Sequence, residues 1–206
     1  MPPEPDDPGI GDDRALAVLD DGTRIQLRPA GHQDGPAILD GFERCSADTR
    51  YFRFLSGGYQ LTDDRVHALT EADHRDHAVW LALDVDGVGT PVAALARFVR
   101  STTDPRVAEV GFIVADDYQG RGLGRLMLDA LRVSAAVDGV TTFAANVLAE
   151  NGPMKSLLLH RGAHVVDRDG TELRIELDLG ARMLATVEPG LERALRAGAE
   201  AAVRPS

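Results

Sequence analysis

Glycine recurs at 120, 122 and 124 within Gln119-Gly120-Arg121-Gly122-Leu123-Gly124, and an apolar helical pattern follows at once. Bare backbone at a helix start suits an anion. The first-turn N–H groups have no intrahelical acceptors and point outward from the positive end of the helix dipole. One glycine would serve for a tight turn, and three spaced by two exceed that need. The dinucleotide fingerprint fails, because the sixth position of GxGxxG holds Arg125 or Met127 rather than glycine. The phosphate-loop pattern fails too, since Gly120 leads to Arg125 where Gly-Lys-Ser/Thr is required. A kinase glycine loop joins two antiparallel strands, whereas a helix follows here. The expectation is a diphosphate lying on the loop by some other fold.

Other residue types that could do chemistry are fewer. Glu109 interrupts the apolar run "VAEVGFIVA", a costly place for a carboxylate without a purpose. Strand alternation puts Glu109, Gly111 and Ile113 on one face and Val110, Phe112 and Val114 on the other. Cys45 is the single cysteine, has no activating base at a recognisable spacing, and reads as a buried helical thiol. His74 and His77 in "DHRDH" lack a closing ligand set, so they read as a polar loop or acceptor-side lining, and no metal is expected. Arg50, Tyr51 and Arg53 are either a helix surface or contacts to an acceptor.

The elements that must position these residues are legible from periodicity and turn residues. "ALAVLDDGTRIQLRP" reads as a hairpin turning at Asp21-Gly22, its second strand ended by Pro29. Three short helices follow: one from Asp34 to about Cys45, one begun by Ser46 or Asp48 and stopped at Gly57-Gly58, and one opened by Thr62 or Asp63. Apolar runs at 78–85, 92–99 and 107–115 read as strands. The helix after the glycines carries Leu123, Leu126, Met127, Ala130 and Leu131 on one face. A strand over 140–148 comes next, then a helix opened by Asn151 or Gly152 with Pro153 inside it. A hairpin turning at Asp169-Gly170 completes the domain. The order predicts α+β, or α/β with a mixed and mostly antiparallel sheet flanked by helices. Residues 1–14 read as a disordered acidic lead, 15–180 as the domain and 181–206 as a helical extension, packing on the domain or on a partner copy in a homodimer.

The chain has 206 residues and a net charge of −11, which repels nucleic acid and anionic lipid and permits a cationic substrate, solubility or a compositional bias being the other reading. No run approaches a membrane span and the N-terminus lacks a secretion signal, so the expected location is cytoplasmic.

From Gln119 to Gly124 the chain resembles the GNAT acyltransferase superfamily, whose acyl-CoA motif is Gln/Arg-x-x-Gly-x-Gly/Ala after the fourth strand. "RYFRF", "EADHRDHAVWLAL", "AEVGFIVADDYQGRGLG" and "LAENGPMKSLL" are similar to the catalytic domain of Pat-type bacterial protein lysine acetyltransferases. Those domains are often fused to a module binding cyclic nucleotide or an amino acid, for which 206 residues leave no room. The resemblance implies the GNAT fold, acetyl-CoA as co-substrate without a metal, and a protein lysine or small-molecule amine as acceptor. It implies that Gln119, Gly120, Arg121, Gly122, Leu123, Gly124 and Arg125 hold the diphosphate. Backbone N–H groups of Phe112, Ile113 and Val114 would meet the pantetheine and the acetyl carbonyl, and Asn151 would hold the CoA arm. Glu109 matches the family's general base, needed because an amine attacks only after losing its proton, and burial would strengthen it; the alternative reading is an exposed glutamate at the end of the strand. Seven residues after Asn151, where many of these enzymes place a tyrosine acid, stands Leu158. A non-catalytic acyl-CoA-binding module remains the alternative from another class.

Overall fold

In the computed structural model the described residues are 15–180 and 186–203; the acidic lead expected over 1–14 lies outside them, as do 181–185 and 204–206. The hairpin at Asp21-Gly22 forms β1 (Ala15–Val18) and β2 (Arg24–Pro29). Three short helices follow, α1 (Gly35–Glu43), α2 (Ala47–Phe54) and α3 (Asp63–Thr70). Ser46 caps α2, its side-chain oxygen accepting from the Thr49 N–H at 3.1 Å. The helix stops at Leu55, which turns left-handed at φ 54°, two residues before the expected Gly57.

The strands β3 (His77–Asp84), β4 (Val92–Arg100) and β5 (Val107–Val114) form an antiparallel meander. The helix α4 (Leu123–Val137) then crosses over to β6 (Thr142–Leu148), which pairs parallel with β5. Next come α5 (Gly152–Leu159) and the hairpin of β7 (His164–Asp169) and β8 (Glu172–Asp178). The sheet order is β1-β2-β3-β4-β5-β6-β8-β7, with β5–β6 its one parallel pairing. The expected mixed, mostly antiparallel sheet is thus observed.

Alternation along the strands sorts side chains into two layers. Trp80, Phe98, Phe112 and Phe143 face α4, while Val79, Leu81 and Leu95 face α1 and α3. The final stretch supplies α6 (Pro189–Ala202), which lies on α4, β1 and β2 and buries Leu195 and Ala199 in the larger core.

Candidate active site

Strands β5 and β6 pair at only three positions, from Val107 opposite Thr142 to Glu109 opposite Ala144, and then diverge. Each keeps its other neighbour: β5 pairs with β4 as far as Val114, and β6 with β8 as far as Leu148. A cleft of about 730 Å³ opens between them, running from Val110 and Gly111 to the glycine turn. The Ala115 N–H donates to the Ala93 carbonyl, so alternate residues 113, 111 and 109 also turn their backbone groups toward β4. Val110, Phe112 and Val114 therefore direct theirs into the opening. Of the three residues expected to offer N–H groups, Phe112 and Val114 do so, whereas Ile113 spends its own on the ladder and lines the cleft with its side chain.

At the other end, Gly120 and Gly122 adopt φ 72° and 85°, left-handed values that other residues resist. The turn thus needs two glycines rather than the one expected. A Cβ on Gly124 would meet only Leu157, at an ordinary 3.5 Å. No side chain caps α4, and the N–H groups of Leu123 and Gly124 have no intrahelical acceptor. Gln119, Gly120, Gly122, Leu123, Gly124 and Arg125 all line this end. Arg121 does not: its Nη1 pairs with Asp21 at 2.7 Å and ties the turn to the β1–β2 hairpin. Gln119 braces the turn, its Nε2 donating to the Val114 carbonyl and to Thr49 Oγ1, both at 3.0 Å.

Glu109 departs from expectation. Its side chain is 63% exposed and lies 3.7 Å from Arg174 of β8, because the helices over this face reach β5 only beyond it. Two residues along the same face, a Cβ on Gly111 would stand 2.3 Å from the Arg53 guanidinium, which lies flat on the strand. Of the three α2 residues left open by the sequence, Arg53 alone lines the cleft. Arg50 donates to the Cys45 carbonyl and stacks on Phe42, and Tyr51 is exposed. A glycine in mid-strand signals close approach by another group, the clue that could have singled out Arg53.

Asn151 is buried at the start of α5, lines the cleft, and caps its helix by accepting from the Met154 N–H at 3.1 Å. Leu158 points into the core. Ser156, which the sequence did not single out, lines the cleft with its hydroxyl 3.0 Å from His160 Nδ1. The Cys45 thiol is buried, and that burial pushes it up to about 11. His74 is buried with Nε2 3.0 Å from the Ala30 carbonyl, and burial pushes His77 down to about 4. Among the described residues no group of three or more His, Cys, Asp or Glu could hold a metal ion, and no helix is long and apolar enough to cross a membrane.

The chain is similar in sequence and fold to known proteins. Residues 44–163 match the family described as "Acetyltransferase (GNAT) family". The chain is 37% identical over 183 residues to Acetyltransferase Pat of Mycolicibacterium smegmatis, covering 89% of this chain and 54% of that one. It therefore spans about half the length of that relative. The GNAT domain of S. lividans PAT superposes with a TM-score of 0.73 at 28% identity, over 81% of this chain and 97% of that domain. A cAMP-binding acyltransferase from Mycobacterium smegmatis gives 0.67 at 32% identity, over 92% of this chain and 54% of that one.

Proposed function

The chain belongs to the GNAT acetyltransferase family, and from that premise we propose that it is an acetyl-CoA-dependent N-acetyltransferase acting on protein lysine Nε by direct transfer in a ternary complex. The observation that carries the reading is the splayed β5–β6 cleft, which joins a helix N-terminus behind bare glycines to unpaired strand backbone and, beyond it, to Glu109. The lysine acceptor rests on the resemblance to Pat-type proteins.

The residues present fit the CoA thioester. Nothing occupies the space a side chain would take at Gly120, and the N–H groups beginning α4 are unpaired and electropositive, so Gln119, Gly120, Gly122, Leu123, Gly124 and Arg125 hold the diphosphate, while Arg121 ties the turn to the β1–β2 hairpin. Asn151 fixes the pantetheine arm with the amide nitrogen that its capping role leaves over. Phe112 and Val114 offer backbone N–H groups to the acyl carbonyl, where a fixed donor stabilises developing negative charge. Acetyl-CoA supplies an acyl carbon whose bond to sulfur breaks as its bond to nitrogen forms, with CoA leaving as thiolate. Glu109 accepts the proton that the lysine ammonium must lose before its free amine can attack, directly or through water. Its exposure leaves it accessible to an incoming lysine. Leu158 cannot donate a proton to the thiolate, and that proton comes from solvent.

Labelled acetyl-CoA is incubated with the full chain and either a cell lysate or a panel of small amines. Label on protein lysines is the expected result. Label on small amines alone would make this a small-molecule N-acetyltransferase, and tight CoA binding with no transfer would make it a non-catalytic acyl-CoA-binding module.

A further inference from the structure

A second cavity, of about 110 Å³, lies under α1, α2 and α3 on the sheet face that carries Glu109. It shares Arg53 and Ile113 with the CoA cleft, so the two adjoin beside Gly111, next to the reacting end. Its walls are apolar: Ile38, Phe42, Leu69 and Leu95, closed by the rings of Phe54 and Tyr59 stacked 3.5 Å apart. Into these walls come the guanidinium groups of Arg53 and Arg97. Arg97 stands directly across from Gly111 in the β4–β5 ladder, on the same face. A third arginine, Arg65, is already engaged, donating to the Gln60 carbonyl and stacking on Tyr59.

Among the described residues no Asp or Glu lines this cavity. Among the described residues Arg53 and Arg97 have no ion-pair partner, although the chain carries a net charge of −11. Elsewhere Arg24, Arg28, Arg44, Arg100, Arg106 and Arg121 each pair with an aspartate. Burial, with Arg97 adding to it, pushes Arg53 down to about 10, as expected of neighbouring cations short of an anion. Arg53 also lies over the Phe54 ring, 5.0 Å from its centroid, a contact that supplies no counter-charge. Two partly buried guanidiniums in an apolar wall remain costly unless an anion neutralises them.

Building on the acyl-transfer reading, we propose that this cavity is a carboxylate subsite: it takes a short apolar chain attached near the reacting carbon and ending in a carboxylate held by Arg53 and Arg97. The volume suits about four water-sized groups, enough for a few methylenes and the carboxylate. The chain belongs either to the acyl group or to the amine acceptor, since both meet beside Gly111. A carboxylate makes charge-assisted, potentially bidentate bonds to guanidinium, whereas a neutral end leaves both cations unmatched.

The test is equilibrium binding to the full chain, so it stands even if no acyl transfer is found. The donor arm compares succinyl-CoA with butyryl-CoA. The acceptor arm compares 4-aminobutyrate with its amide in the presence of CoA. In one arm the carboxylate should bind about 10- to 100-fold tighter than its neutral partner. A preference in the donor arm assigns the chain to the acyl group, and one in the acceptor arm assigns it to the amine. Arg97→Gln should bring the ratio to within about threefold of unity, and Arg97→Lys should keep much of it. Gly111→Ala, which displaces the Arg53 guanidinium, should lower the ratio as well. Arg53→Gln, on the surface helix α2, carries the same test should Arg97→Gln not fold. Ratios near unity in both arms of the wild type, or a ratio unchanged in these charge-removing variants, would overturn the proposal.

Discussion

Glu109 stands where β5 is about to part from β6, with its side chain open to an arriving amine and its neighbour Gly111 already inside the cleft. If it takes the proton, Glu109→Gln keeps the shape and removes the base. Turnover should fall about 10²- to 10⁴-fold, with the acetyl-CoA dissociation constant within about threefold of wild type. Steady-state kinetics with a calorimetric titration checks both, and unchanged turnover would remove Glu109 from the mechanism. The identity of this carboxylate was legible as a charged residue in an apolar strand. Whether it is buried or exposed at the strand end was left open, because alternation tells which face a residue takes but not where the covering helices end. Arg53 was left undecided for a related reason: its place is fixed by Gly111, far away in sequence.

The elements were read closely, since their signals are local. Ser46 caps α2, Pro29 ends β2, and the apolar stripe after Gly124 became α4. The three-residue pairing of β5 with β6 was not readable, because both strands are mostly apolar on either side of the split and divergence is set by what each pairs with on its far side. The start of β3 carries a pH dependence of its own. Burial is the largest cause pushing His77 down to about 4, Arg97 adds to it and Asp73 opposes it, and its Nε2 has no hydrogen-bond partner. The unfolded chain binds this proton near pH 6.5 while the folded chain refuses it until about pH 4, so protons favour unfolding in that window. Folding stability should drop by up to about 3 kcal/mol as pH falls from 6.5 to 4. Urea midpoints at pH 7 and 4.5 measure the drop, which should be smaller in His77→Phe. An equal drop in that variant would place the sensitivity on other groups.

Across the whole molecule, one sheet carries two layers with different tasks. The α4–α6 side holds the larger core, and the α1–α3 side holds the smaller cluster and the cavity beside Gly111. Gly198 lets α6 approach Trp80, to which a Cβ would come within 3.4 Å, and Leu195 is fully buried beneath it. Composition indicated a helix here but not its seat, which depends on contacts spanning most of the chain. Leu195→Ala should cost about 2–5 kcal/mol in chemical denaturation, and a cost under about 0.5 kcal/mol would show α6 to be only loosely attached. Acyl transfer at Glu109 requires that acetyl-CoA bind in the cleft between β5 and β6. Calorimetric titration of acetyl-CoA into wild type, Gly122→Ala and Gly122→Glu tests this most directly. Both variants strain the same left-handed turn and set a Cβ about 3.5 Å from the Asp20 carboxylate, but only the second adds a negative charge to the glycine turn that lines the cleft. Affinity should survive largely in the alanine variant and fall at least about 100-fold in the glutamate variant; a folded Gly122→Glu protein that binds acetyl-CoA as wild type does would contradict the account.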